Sequence, residues 1–371
     1  MRPSKNTVVI GNGRWARTWI ETLLEVRPHT GRIIVFTQSP GEKFTDWLRK
    51  FNDVRRIETT EDFGRVIQSP YPTIIASAAG THRDFAVSTL SGGLPTLVEK
   101  PLALNLGDAR QIAYTSHKHK VSLAASNVFL FSQGLNKFKE IVSARNLPDS
   151  ILMSWTDAKG ETARFDSSVP IFKDVLPHIV GILEYLFEET EWVFTDLEIS
   201  RGGARANLKL QCGNILIAIT IERNACDRQR LLEVTWAQGR KALLNFSREP
   251  SQITVEGDGV VQSIKPDLAR LRPLASMALS FLESCEGRPF DKRLDPTSSL
   301  RSCELSDAIS LHYNRLQQHW LNPENLKGDL VGFDDFLYAN VEAAQCDSRF
   351  GKEQIIELEE QLQKDYFNPI V

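Results

Sequence analysis

The sequence predicts a two-domain chain: an α/β domain with a doubly wound parallel sheet, then an α+β domain on an open-faced, largely antiparallel sheet. Three observations predict it. The β-branched run Thr7-Val8-Val9-Ile10 passes without a spacer into Gly11-Asn12-Gly13-Arg14-Trp15-Ala16, a G-x-G-x-x-A turn. Strand-like and helix-like segments then alternate to about residue 125, a pattern that needs crossovers and hence parallel strands. From Thr195 to Val261 the pattern changes to period two, the mark of strands with one buried and one wet face.

The elements follow in order. Behind the turn, Trp19, Ile20, Leu23 and Leu24 share one face of a helix. Further strands read at Arg32–Phe36, Thr73–Ala76, Thr96–Val98 and Val121–Ala124, with helices at Phe44–Phe51, after Thr81 and at Leu106–His117. In the second half, a helix at Gly134–Ala144 leads to a strand near Ile151–Thr156, a polar loop and an apolar helix at His178–Phe187. Period-two runs follow at Leu197–Ile199, Ala206–Leu210, Ile215–Glu222, Leu231–Trp236, Lys241–Phe246 and Gln252–Val255. Turn residues such as Gly202-Gly203 and Gly213-Asn214 divide them. Helices resume at Pro273–Cys285 and Thr297–Gln318, and Glu353–Lys364 reads as a charged helix. These patterns divide the chain into residues 1–125, 126–321 and a C-terminal extension, 322–371.

The opening turn carries the clearest chemistry. Glycines let backbone approach a pyrophosphate, a small residue at Ala16 lets the helix pack on the strand, and the helix N-terminus offers N–H donors to an anion. Gly11, Asn12, Gly13, Arg14, Trp15 and Ala16 are therefore the first cofactor-binding candidates, and 1–125 the dinucleotide-binding domain. A dinucleotide lacking a 2′-phosphate is usually held by an acid at the end of the second strand. Here that strand ends Phe36-Thr37-Gln38-Ser39, with no acid until Glu42. Arg14 sits in the first helical turn, where the helix dipole disfavours a cation unless an anion is near. Thr37 and Ser39, with Arg14 and Lys43, suit a 2′-phosphate, so the expected cofactor is NADP, with NAD as the alternative.

Composition bounds the rest. The 371 residues exceed one small core. A net charge of −3 and the lack of a basic block give no reason to expect a nucleic-acid partner. No apolar run reaches the length of a membrane span, so no membrane is expected. Five scattered cysteines without a C-x-x-C pair suit reduced thiols in a cytoplasm, with no disulfide framework and no metal site.

The glycine turn followed by Glu99-Lys100-Pro101 and a sheet-rich second half resembles the glucose–fructose oxidoreductase and inositol 2-dehydrogenase family. The resemblance implies an N-terminal Rossmann domain and a C-terminal open-faced sheet. Members often oligomerise through that sheet, so a homo-oligomer, dimer or tetramer, is expected. Thr81-His82 and Glu99 look like the family's segments beside the cofactor, and Lys100 is expected near the nicotinamide and the substrate oxygen. Asn127 is similar to the asparagine at the entry to the second domain. Asp174 and His178 have the spacing of the family's catalytic helix, which implies acid/base work for His178 and an orienting role for Asp174. Pro177 favours the first turn of a helix and disfavours helical angles at Leu176, so Asp174 can equally be a cap. Departures stand at Ser167–Lys173, where the family is glycine-rich, at Leu176-Pro177, and at Gly181 in place of a second aspartate. Lys159, Arg164 and Lys173 read as solvated surface, with recognition of a carboxylate or phosphate on the substrate as the alternative.

The implied function is reversible hydride transfer between NADP(H) and a small polar substrate (sugar, polyol, or hydroxy or keto compound) in a cleft between two domains. An imine or keto-sugar reductase of a biosynthetic pathway is a second reading. A nucleotide-binding sensor or scaffold without turnover is a third.

Overall fold

Short β-branched runs bounded by glycine and proline become the strands of one sheet, in a computed structural model that describes residues 5–27, 29–51, 56–158, 169–188, 192–266, 270–322, 335, 337–341 and 357. In chain order these are β1 (Thr7–Ile10), α1 (Arg14–Val26), β2 (Ile33–Phe36), α2 (Glu42–Leu48), β3 (Ile57–Thr60), α3 (Phe63–Ile67), β4 (Thr73–Ile75), α4 (His82–Ser91), β5 (Thr96–Val98), α5 (Leu106–His119) and β6 (Leu123–Ala125). All six strands pair in parallel in the order β3-β2-β1-β4-β5-β6. The order reverses between β1 and β4, so their carboxyl ends flank the crevice where an open α/β sheet receives a ligand. Val8, Ile10, Ile75, Leu90, Val98 and Ile112 are buried in the core below it.

The second half begins with α6 (Gln133–Ser143), β7 (Ser150–Ala158) and α7 (Ile171–Leu186). Seven more strands follow: β8 (Val193–Ser200), β9 (Arg205–Cys212), β10 (Ile215–Ala225), β11 (Gln229–Thr235), β12 (Lys241–Asn245), β13 (Gln252–Gly257) and β14 (Val260–Ile264). The chain then forms α8 (Pro273–Cys285) and α9 (Thr297–Trp320). The eight strands order as β14-β13-β12-β11-β7-β10-β9-β8, with β7 and β10 parallel and every other pair antiparallel. Alternation sets the faces: Ile151, Met153, Ile217, Ile219, Leu232 and Val234 are buried, while Leu152 and Leu216 on the other face are exposed. The open-faced antiparallel sheet expected of the second half is present.

Two compact units result: Met1–Gln133 with Val180–Tyr185 and Ala269–Glu304, and Gly134–Ile179 with Leu186–Leu268 and Leu305–Val371. α8 thus belongs with the parallel sheet. It packs on α1, and Arg272 at its N-cap donates to Glu25 Oε2 and Thr22 Oγ1, both at 2.7 Å. The sequence pattern passed over β3 and β14, and both are outermost strands. β3 carries Ile-Glu-Thr-Thr and β14 is exposed along almost its whole length, so neither has the buried alternation that marks a strand in sequence. The region 322–371 is described only at a few positions, and most of Glu353–Lys364 lies outside the described residues, as do Lys159 and Arg164. Among the described residues no helix is long and apolar enough to cross a membrane.

Candidate active site

Gly11 ends β1 at a backbone angle open to glycine, φ +123°. A Cβ there would lie 2.7 Å from the Ala76 carbonyl oxygen at the end of β4. Position 11 therefore has room only for backbone, at the point where the strand order reverses. Gly13 is the N-cap of α1, and a Cβ there would meet nothing within 4 Å. No side chain caps the helix and no acid stands in its first turn, so its leading N–H groups keep their capacity for an anion. Fully buried Ala16 lets α1 settle on the strands. Asn12 donates to the Ser39 carbonyl at 2.8 Å, tying the turn to the segment after β2. Arg14 lies 5.4 Å over the half-exposed Trp15 ring. Thr37 is buried and continues the β2–β3 pairing through Thr60, whereas Ser39 is exposed. The turn fits a dinucleotide pyrophosphate.

A second group stands at the end of β5. Glu99 is buried and accepts three hydrogen bonds: from Trp19 Nε1 on α1 at 2.7 Å, Ser126 Oγ after β6 at 3.0 Å, and the Lys100 backbone N–H at 3.1 Å. Burial pushes the Glu99 carboxyl above its ordinary pKa, and its donors together with the Lys100 charge pull it part of the way back. The Lys100–Pro101 peptide is cis. His82 is buried, and its ring nitrogens stand 2.8 Å from the Pro101 carbonyl and 3.2 Å from the Ser77 carbonyl. Thr81 joins the same turn, its hydroxyl 2.8 Å from both the Ser77 hydroxyl and the Ala78 carbonyl. His82 thus braces the Lys100-Pro101 backbone with one side of its ring and the Ser77 turn with the other. Asn127 is buried, donates to the Arg293 carbonyl at 3.3 Å, and comes within 3.4 Å of the place a Gly181 Cβ would take. A Cβ at position 181 would make only ordinary van der Waals contact with Asn127.

The second unit holds the other candidates. α7 starts at Ile171 and carries Pro177 in its interior, so Asp174 and His178 lie one turn apart on one helix. A proline here removes the hydrogen bond to the Lys173 carbonyl and disfavours a helix. The helix survives because Ile171, Phe172, Val175, Leu176 and Ile179 are all buried, and packing outweighs local preference. Asp174 is buried, His178 half-buried. The imidazole stacks on Trp155 of β7, ring centroids 5.4 Å apart and planes within 15°. Arg230, the cross-strand partner of Trp155 on β11, places its guanidinium 4.2 Å over the same indole. Arg230 donates to the Thr156 carbonyl at 2.6 Å and to Asp157 Oδ1 at 2.5 Å, and Arg228 reaches that carboxylate at 3.5 Å. Burial pulls the Arg230 guanidinium down to about 10, against the opposing pull of Asp157 and Asp174.

Trp19, Ser126, Trp155, Asp157 and Arg230 are absent from the sequence-derived site. One signal could have found two of them. Asp157 and Arg230 occupy the inward parity of β7 and β11, where apolar residues belong, and charge at such a position needs a partner.

The glycine turn at the reversal of a six-stranded parallel sheet, followed by a braced lysine, defines a Rossmann-type dinucleotide-binding protein. Residues 5–126 match the model of the oxidoreductase family with an NAD-binding Rossmann fold, GFO_IDH_MocA. Residues 5–126 are thus similar to the NAD-binding domain of this oxidoreductase family, the one that the motifs resemble. The inositol 2-dehydrogenase of Serratia proteamaculans is 19% identical over 155 residues, 42% of this chain and 46% of that enzyme. The match thus spans about half the length of the relative. Among solved structures, the UDP-N-acetylglucosamine 3-dehydrogenase of Acidithiobacillus ferrooxidans superposes with a TM-score of 0.65 at 15% identity, over 82% of this chain and 96% of that one. A 3-ketoreductase of Actinomadura kijaniata, in complex with NADP and TDP-benzene, gives 0.67 at 14% identity, over 83% and 98%. At these identities the likeness is one of fold.

Proposed function

We propose that this chain is an NADP(H)-dependent oxidoreductase that interconverts a hydroxyl-bearing carbon and its carbonyl on a small, sugar-like substrate. The observation that carries the reading is the corner Glu99-Lys100-Pro101, braced by Trp19, Ser126 and His82 in the same unit as the uncapped glycine turn. A lysine held by its backbone places an ammonium within reach of a substrate oxygen at little entropic cost. A nicotinamide held there would supply the hydride chemistry. Lys100 polarises the substrate oxygen, His178 exchanges the hydroxyl proton, and Asp174 orients the imidazole. Gly11, Asn12, Gly13, Arg14, Trp15 and Ala16 form the pyrophosphate side of the cofactor site. Thr37 and Ser39 with Arg14 form the ribose side, and Thr81, His82, Glu99 and Asn127 its supporting wall. The missing acid after β2 favours NADP over NAD.

One structural relative is named for a nucleotide sugar, UDP-N-acetylglucosamine, and the other is a 3-ketoreductase in complex with TDP-benzene, which supports keto sugars and their alcohols as the first substrates to try. The outward face of the eight-stranded sheet, with Leu152 50% and Leu216 60% exposed, is our candidate for a homo-oligomer contact, read by light scattering of the intact chain.

The decisive experiment pairs calorimetry with a substrate panel. NADP should bind more tightly than NAD, and NADPH should be consumed with a keto sugar from the panel. Lys100→Ala should lower kcat by about 10²–10⁴-fold, the range of acid–base assistance, while the Kd for NADP changes little. A chain that binds neither dinucleotide ends the proposal, and undiminished turnover in Lys100→Ala removes Lys100 from the reaction.

A further inference from the structure

His178 leans on residues that no motif would select. Four side chains on the buried side of the second sheet follow one another: Asp157 holds Arg230, Arg230 covers Trp155, and Trp155 stacks with His178. Three come from two neighbouring strands, with Trp155 and Arg230 directly opposed in the register and Asp157 two residues on from Trp155. We propose that Trp155, Arg230 and Asp157 are positioning residues for His178, a ladder that fixes the imidazole plane and sets how readily it holds a proton.

The physical case has two parts. A flat imidazole against a flat indole loses the tilting freedom it would have on a half-buried helix face, and aromatic stacking stabilises the pose. That indole is itself held by the guanidinium, which its own hydrogen bonds to the Thr156 and Gln229 carbonyls and to Asp157 immobilise. Trp155 meets Phe246 edge-on as well, at 5.8 Å. The second part is charge. An indole face attracts imidazolium, the Arg230 cation opposes it, and the Asp157 carboxylate offsets Arg230. Among the described residues, Asp174 on α7 and Arg228 before β11 also act on the Arg230–Asp157 pair. The charges of the ladder thus oppose one another beside the imidazole, and small changes in the ladder should move its titration in directions that can be named.

The inference of a role in turnover rests on the function proposed above; the ladder itself does not. The test is proton NMR of the full-length chain without added cofactor, with the His178 ring signals assigned by their loss in His178→Asn. In the parent chain these signals should show the upfield displacement of a proton under an aromatic ring. Asp157→Asn keeps the acceptor for Arg230 but removes the charge, and should lower the His178 titration midpoint by about half a pH unit or more. Trp155→Leu should abolish the upfield displacement and lower the midpoint, and Trp155→Phe should restore part of both. Arg230→Gln should raise it. If Trp155→Leu or Arg230→Gln fails to fold, Asp157→Asn and Trp155→Phe still decide. An unmoved midpoint in folded Asp157→Asn, or ring signals indifferent to Trp155→Phe, overturns the ladder. Midpoints that move while the pH profile of kcat stays put uphold the ladder and remove His178 from proton transfer.

Discussion

At the corner after β5 one carboxylate, Glu99, gathers donors from α1, from the chain after β6 and from its own neighbour. On the second sheet one guanidinium, Arg230, instead spreads over an indole, two carbonyls and a carboxylate. At the corner, Glu99, Lys100 and Ser126 follow the ends of parallel strands, and Glu99-Lys100-Pro101 can be read as a motif although its donor Trp19 on α1 cannot. The ladder is built across a sheet face, where strand register alone brings residues 155 and 230 together. Buried charge is hydrogen-bonded in both places, although the Arg230 Nε is left without a partner among the described residues. In the first the partners are brought mainly by topology, in the second by register.

Breaking the first region should give the largest effect. Gly11→Ala forces an L side chain to φ +123° and against the Ala76 carbonyl, a strain of roughly 2–5 kcal/mol. Thermal unfolding should show a large fall in Tm and calorimetry the loss of NADP binding. Gly13→Ala, with open space around its Cβ, should spare Tm; equal stability losses in the two variants would contradict the crowding at position 11.

A middle-sized effect should sharpen the contrast through pH. Glu99 has a raised pKa in the folded chain, so the folded state holds its proton more tightly than the unfolded one. Stability is then greatest below the unfolded value of about 4.3 and declines as pH rises from there through the folded pKa, levelling above it. Urea unfolding across that window should show this slope, and Glu99→Gln should flatten it. Trp19→Phe removes a donor to the buried carboxylate and should destabilise by about 1–3 kcal/mol, more at neutral than at acidic pH. A slope identical in parent and Glu99→Gln would place its source elsewhere.

The smallest expected effect tests the cofactor's phosphate. Arg14→Gln should weaken NADP by about tenfold, a loss of about 1.4 kcal/mol, and leave NAD binding nearly unchanged in calorimetry. An NADP preference that survives the substitution would move the 2′-phosphate away from Arg14.

Legibility differed by region for the same physical reasons. Gly11, Gly13 and Ala16 declare their roles because turn, helix start and strand end fall within six residues. Asp174 and His178 were visible as a spacing, but whether they share a helix was not, since Pro177 argues against it and only the burial of its neighbours reverses that. His82 read as a cofactor-side residue, and the fold shows what its ring holds: the carbonyls of Ser77 and Pro101. β3 and β14 escaped because neither carries the buried alternation that marks a strand.

The amino-acid order alone determined the alternating parallel sheet, the phosphate turn and the period-two second half, because each is a local pattern repeated along the chain. Tertiary structure decided which donors Glu99 collects, that α8 joins the first unit, and that Trp155 and Arg230 meet at His178. Those pairings depend on strand order and register, and neither is set by residues near one another in sequence.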